Sequence, residues 1–226
     1  MKITFLGTGA ADWPLHKPEN AQEFRRLSSV LIDDILLIDP GPQVIDALQE
    51  YGKDPSSIRY ILYTHKHSDH YCADTIKQLE SLGARLVPLF PGEEITLDAY
   101  QISAYQGNHG TIKEIVHFLI SDTQHTIFYG LDGAWLLYEE VQAIIKAKPD
   151  FAVFDATIGD IDGDYRIFEH NNLSMVLEMK KTLDPYIGQF CISHMARTLH
   201  TDHKTLSENM RTYNILAACD GLEWII

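Results

Sequence analysis

The sequence predicts a mixed α/β chain folded as one domain over residues 1–226, with two sheets face to face and helices outside. Three observations lead there. Short β-branched and aromatic runs cluster early in each half of the chain, and helical patterns alternate with strands later in each half. No linker or low-complexity stretch divides the chain. Several of the strand-like runs end in histidine or aspartate, at the carboxyl ends where α/β folds place their ligands.

The elements follow in order. Lys2–Leu6 reads as a strand broken by Gly7-Thr8-Gly9-Ala10, a turn in which backbone must approach something closely. Residues 11–27 have no period and are long for a plain connection, which suits a loop near a functional site. Within it, Arg25 and Arg26 are either solvated charges or cations facing an anionic substrate. Ser28–Asp33 and Ile35–Ile38 read as strands joined by a tight Asp33-Asp34 turn. Asp39-Pro40-Gly41-Pro42 ends the second of them. Asp39 there is either a turn former before proline or a brace for a neighbouring loop. Val44–Tyr51 has a helical pattern, and the apolar run Ile58–Tyr63 is a buried strand.

That strand leads into Thr64-His65-Lys66-His67-Ser68-Asp69-His70. His65 and His67, two apart on extended backbone, point to one side and can share a metal ion. Asp69 and His70 follow as the chain turns, and can serve a second ion. Imidazole with carboxylate suits Zn²⁺ or a similar first-row divalent ion.

Beyond it, Cys72–Leu82 reads as a helix closed by Gly83, followed by strands at Arg85–Leu89, Glu94–Leu97 and Gln101–Ala104. Ile115–Ile120 and Thr126–Tyr129 are strands, Trp135–Ala147 a helix, and Phe151–Phe154 a strand ending at Asp155. Leu173–Leu183 is a helix with Asn172 as its N-cap. Tyr186–Ile192 is a strand ending in Ser193-His194, Lys204–Ala218 a helix, and Leu222–Ile226 a last strand.

Composition narrows the function. The 226 residues are 45% hydrophobic and 22% charged, ordinary globular material. A net charge of −14 argues against nucleic-acid binding, which needs clustered Lys and Arg. We expect no signal peptide, since the apolar start is too short, and no membrane association, since no apolar run nears the ~20 residues of a bilayer span. Cys72, Cys191 and Cys219 form no C-x-x-C pair, so neither a disulfide framework nor a cysteine zinc site is expected, and the expected setting is the cytoplasm.

His109, Asp132, Asp155, His170 and His194 all fall after strand-like or loop segments. With Leu6-Gly7-Thr8-Gly9, Asp39-Pro40-Gly41 and the H-x-H-x-D-H motif at His65–His70, this series resembles the metallo-β-lactamase superfamily along essentially the whole chain. The resemblance implies a four-layer αββα sandwich and two divalent ions, Zn²⁺ first and Mn²⁺ or Fe²⁺ also accepted. It assigns His65, His67 and His109 to one ion and Asp69, His70 and His194 to the other, with Asp132 bridging. His200 and His203 compete with His194 for its place. Phe168-Glu169-His170-Asn171-Asn172 is similar to the histidine motif of the phosphodiesterase branch, which includes tRNase Z and the cyclic phosphodiesterase associated with carbon–phosphorus lyase, although two asparagines depart from that pattern.

The resemblance therefore implies a hydrolase of a small or cyclic phosphodiester. A hydroxide bridging the two ions would attack phosphorus, Asp69 would orient it, and His170 would protonate the leaving oxygen, with Arg25 or Arg197 near the added charge. No nucleic acid is expected as partner, because the chain has neither a basic RNA-gripping insertion nor the charge for one. Two alternatives stay open. One is a lactone, thioester or amide hydrolase of the same fold, and the other a metal-loaded accessory or binding protein in a biosynthetic pathway. A homodimer is compatible with the sequence.

Overall fold

The computed structural model describes residues 1–110 and 112–226. The chain forms two compact units, residues 1–88 with 218–226 and residues 89–217.

The first unit is built on β1 (Lys2–Gly7), β2 (Ser29–Ile32), β3 (Leu36–Ile38), β4 (Tyr60–Leu62) and β5 (Arg85–Leu86), with α1 (Val44–Glu50) and α2 (Ala73–Ser81). β1, β2 and β3 are antiparallel neighbours, and β3, β4 and β5 run parallel. Between β2 and β3, Asp33 and Asp34 both take positive φ, 49° and 62°, as a tight reversal requires. The strands alternate with period two, so Leu6, Leu31, Leu37 and Ile61 form one core face. Val44, Ala47 and Leu48 of α1, spaced i, i+3, i+4, pack on that face together with Leu79 of α2. Burying a side chain such as Leu48 is worth roughly 1.5–3 kcal/mol. Ile3, Phe5, Val30, Ile32, Leu36 and Ile38 on the opposite face are also buried.

The second unit contains β6 (Glu94–Leu97), β7 (Tyr100–Gln106), β8 (Val116–Ser121), β9 (Thr126–Gly130), α3 (Tyr138–Ala147), β10 (Phe151–Asp155), α4 (Leu173–Leu183), β11 (Gln189–Ser193), α5 (His203–Arg211) and β12 (Ile215–Ala217). Its sheet has the order β12-β11-β10-β9-β8-β7-β6. β6 to β9 form an antiparallel meander, whereas β9 to β12 are parallel. The parallel register sets Phe154 beside Gly130 and Asp155 beside Ser193, so three neighbouring strands end at one level. One core packs Phe128, Phe154, Phe190 and Ile192 against Ile144, Val176, Leu183, Leu206 and Met210 of the three helices. The last strand, β13 (Glu223–Ile225), returns to the first unit and pairs antiparallel with β1.

The expected elements are present, with several boundary corrections, among them the strand expected over Arg85–Leu89, which is confined to Arg85–Leu86. The helix expected from Trp135 begins at Tyr138, because Trp135 takes φ 55° and Leu137 is extended. Glu140 closes this helix start by accepting a hydrogen bond from Leu137 N. The helix expected to run to Ala218 stops at Arg211. Asn214 at φ 56° then reverses the chain, and Ile215–Ala217 becomes an unexpected strand beside β11. The strand expected from Tyr186 starts at Gln189. Among the described residues no helix is long and apolar enough to cross a membrane.

Candidate functional site

Each unit gathers its own set of metal-type donors. In the first, β4 ends at Leu62 and the Thr64–His70 loop follows. Asp39 anchors it. Fully buried and at φ 60°, Asp39 accepts at Oδ1 from Thr64 N (2.7 Å) and Thr64 Oγ1 (2.9 Å), while its Oδ2 lies 3.0 Å from His70 Nδ1. Because the Thr64 hydroxyl proton goes to Asp39, Thr64 Oγ1 accepts from His65 Nδ1 at 3.0 Å. That tautomer leaves His65 Nε2 as the ligand nitrogen. Asp39 thus braces the loop, and its place before proline is not merely a turn former's.

The rest of the loop is compact. His70 N and Tyr71 N both bond the His67 carbonyl, at 3.0 and 2.9 Å. The rings of His67 and His70 lie 4.4 and 4.6 Å from that of His65, and Asp69 Oδ2 is 3.3 Å from His70 Nε2. Gly41 is needed where it stands, since a Cβ there would sit 2.5 Å from the Asp69 carbonyl oxygen.

In the second unit, the donors come from the carboxyl ends of β9, β10 and β11 and from the loops beside them. Asp132 and His194 take positive φ, 56° and 63°, as each chain turns off its strand. Asp132 Oδ1 lies 2.9 Å from His194 Nε2 and 3.7 Å from His170 Nδ1. Asp155, fully buried, is contacted on both oxygens, with His194 Nδ1 3.3 Å from its Oδ2. Its Oδ1 accepts from Thr157 N and Asn171 N, its Oδ2 from Thr157 Oγ1 and Asp132 N, and His170 Nδ1 lies 3.1 Å from Oδ2. As the Thr157 hydroxyl proton goes to Asp155, Thr157 Oγ1 accepts from His194 Nδ1 at 2.7 Å, which leaves His194 Nε2 as the ligand nitrogen facing Asp132. His109 Nδ1 bonds the Glu169 carbonyl at 3.1 Å, which likewise directs its Nε2 outward. Ligand atoms of Asp132, Asp155, His170 and His194 all lie within 4.8 Å of one another.

The electrostatics follow from this crowding. Burial penalises the Asp155 carboxylate, but the imidazoles of His170 and His194 outweigh it and hold the carboxyl well below its ordinary range. Burial works against the His170 imidazolium, and the Asp155 carboxylate beside it prevails and raises its pKa.

His194 is the histidine brought to Asp132. His200 Nε2 instead bonds the Ala156 carbonyl, and His203 opens α5. Arg25 is buried and donates to Thr8 Oγ1 and the Ala218 carbonyl. Arg26 pairs with Glu50 and lies over the Tyr51 ring. Both arginines are structural, whereas Arg197 is exposed. Thr157 escaped the sequence reading, because nothing marks a threonine two residues past a strand-end aspartate as a brace. His117 escaped it too. It lies in β8 and contacts Glu140 and the Leu131 carbonyl.

Residues 26–74 match the sequence profile of the metallo-β-lactamase superfamily, a span that holds both Asp39–Gly41 and the histidine loop. Comparison with curated proteins finds no match. The whole chain is similar in structure to a diphosphatase of the PhnP family (18% identity, TM-score 0.75, covering 100% of this chain and 97% of that one). It is also similar to Zn²⁺-bound PqqB from Methylobacterium extorquens (13%, TM-score 0.74, 100% of both chains). A third similar structure is the short form of human tRNase Z (17%, TM-score 0.70, 100% and 99%). At these identities the likeness carries the fold alone. The likeness along the whole chain, with the signature over residues 26–74, gives the chain a mixed α/β fold of the metallo-β-lactamase type.

Proposed function

We propose that the chain is a metal-dependent hydrolase and that its substrate is a small or cyclic phosphodiester. The donor chemistry fits two divalent ions. His65, His67 and His109 would hold one, Asp69, His70 and His194 the other, with Asp132 shared. Imidazole and carboxylate, without thiolate, suit Zn²⁺, Mn²⁺ or Fe²⁺. Such ions, when bound, polarise a phosphoryl oxygen and make hydroxide available near neutral pH.

The observation that carries the reading is the setting of His170. Asp132, Asp155 and His194 are sealed, each at most 2% exposed at the side chain, whereas His170 is 13% exposed, on the loop before α4. Asp155 holds the His170 Nδ1 side, so Nε2 is the nitrogen left to give a proton to a departing oxygen. The P–O bond then breaks to an alcohol, and the imidazole ends neutral against the Asp155 carboxylate. Asp69, buried beside His70, would orient the attacking oxygen. Exposed Arg197, three residues past His194, supplies positive charge for a phosphate group. The overall charge of −14 favours a small substrate over a nucleic acid. Among the similar structures, a diphosphatase and tRNase Z support phosphorus chemistry, and an isothiocyanate hydrolase shows that the fold serves other substrates.

The test is turnover of bis(p-nitrophenyl) phosphate and of a panel of cyclic phosphodiesters and esters, after reconstitution with each ion. We expect phosphodiester turnover that falls about 10²–10⁴-fold in His170→Ala with bound metal retained. Turnover of esters alone would replace the substrate class, and an unaffected His170→Ala would remove His170 from the reaction.

A further inference from the structure

From Val116 to Ile120, β8 is apolar except at His117, which is 1% exposed, and its partner Glu140 on α3 is fully buried. His117 Nδ1 lies 2.5 Å from Glu140 Oε1, and its Nε2 lies 2.9 Å from the Leu131 carbonyl oxygen. A carbonyl only accepts, so Nε2 carries a proton and donates it to the residue before Asp132. Glu140 is fixed in turn, its Oε2 accepting from Leu137 N at 2.7 Å.

Three glycines close round the ring. A Cβ on Gly107 would lie 2.8 Å from His117 Nε2, one on Gly133 would lie 2.7 Å from Cε1, and one on Gly130 would lie 3.3 Å from Nδ1. Close approach of the ring therefore requires glycine at 107 and 133, whereas at Gly130 it is the Phe128 ring, 2.6 Å from the Cβ position, that excludes a side chain. Gly130 ends β9, Gly133 lies in the loop that presents Asp132, and Gly107 opens the loop that presents His109. The loops are also tied to each other. Ala134 N donates to the Asn108 carbonyl at 2.8 Å, and Asn108 Nδ2 donates to the Ala134 carbonyl.

A buried ion pair is a poor source of stability, since apolar residues of similar volume often do as well or better. What this pair does that apolar residues would not is hold a carbonyl oxygen and two glycine loops in one position. We propose that His117, held by Glu140, is a positioning residue that sets where Asp132 and His109 present their ligand atoms. The proposal rests on the metal-dependent reading above, which assigns those two residues to the ions.

The experiment compares the full chain with His117→Leu/Glu140→Gln, which leaves no buried charge unpaired and keeps an acceptor for Leu137 N. Glu140→Gln alone is the conservative control, because a neutral His117 still donates to Leu131 while its Nδ1 accepts from the new amide. Co²⁺ is the probe, read by its affinity and its visible absorption spectrum. Amide hydrogen exchange of segments 107–110 and 130–134 is read in the metal-free protein. We expect Co²⁺ affinity to fall about 10–100-fold in the double variant, with an altered spectrum and faster exchange in both segments, and Glu140→Gln to stay close to the parent. A folded double variant with parental affinity, spectrum and exchange overturns the proposal. If the double variant does not fold, His117→Gln is read in the same way, since it keeps a donor but removes the ring on which the glycines rest. A parent chain that binds no Co²⁺ sinks the metal reading, and hydrogen exchange then decides the role of His117 by itself.

Discussion

Asp39, Asp132 and His194 share a conformation that is uncommon for residues other than glycine: each takes a positive φ just past a strand end. For His194 this costs on the order of 1–2 kcal/mol, a strain held by the contacts of its Nδ1 with Thr157 and Asp155. The motif around His65–His70 was legible because its residue types and spacing stand in one short stretch. Asp39 was only half legible, since Asp before Pro also suits an ordinary turn. His117 was not legible at all, as one histidine among Ile115, Val116, Phe118 and Ile120 carries no pattern, and its partners are 14 and 23 residues away. Its chemistry leaves a trace in pH. Burial opposes the His117 imidazolium, but Glu140 outweighs it and raises the pKa above the ordinary histidine value. A raised folded-state pKa gives stability that is complete below the unfolded value of about 6.5 and is lost as pH rises through the folded value. The stability gap between the parent and His117→Leu/Glu140→Gln in urea unfolding should therefore narrow above about pH 6.5, by up to about 1.4 kcal/mol per pH unit. A gap that stays level from pH 6 to 9 would show that the pair carries no such charge.

At the scale of elements, the parallel run β9-β10-β11 does most to build the second donor set. Three strands ending at one level deliver Asp132, Asp155 and His194 to one edge, which a pattern of buried runs each followed by a polar residue already announced. α4 was legible to the residue because its cap is chemical: Asn172 accepts from Met175 N, and the apolar spacing begins at once. The segment after Asp202 was misjudged for a physical reason. Ile215-Leu216-Ala217 is compatible with a helix face or with a short buried strand, and only the pairing with β11 decides between them. The local signal was Asn214, one of the few residue types that enter the left-handed region cheaply. Asn214→Ala should destabilise the protein by about 1 kcal/mol, and Asn214→Gly should leave stability unchanged or raise it slightly. Equal loss in both variants would mean that the Asn214 side chain, and not its backbone, makes the turn.

For the whole molecule, the dominant fact is a charge of −14, with carboxylates and imidazoles collected at strand ends inside each unit. A chain of this charge gains stability from any cation that screens it, so stabilisation by a divalent ion is not by itself a sign of a built site. The two causes differ in selectivity and in magnitude. Screening follows ionic strength and treats Mg²⁺ and Zn²⁺ alike, whereas a site of imidazoles and carboxylates prefers first-row ions to Mg²⁺. An ion at 100 times its dissociation constant should stabilise the fold by about 2.7 kcal/mol. For a chain of this length that corresponds to a rise in Tm of roughly 5–11 °C. We expect that rise with Zn²⁺ or Mn²⁺ at micromolar excess and its reversal by a chelator. Mg²⁺ and NaCl at matched ionic strength should give at most a small part of it. The measurement is a thermal scan at fixed pH and protein concentration. A Tm that responds equally to Mg²⁺ and Zn²⁺ would assign the effect to charge alone and count against the donor clusters as ion-binding sites.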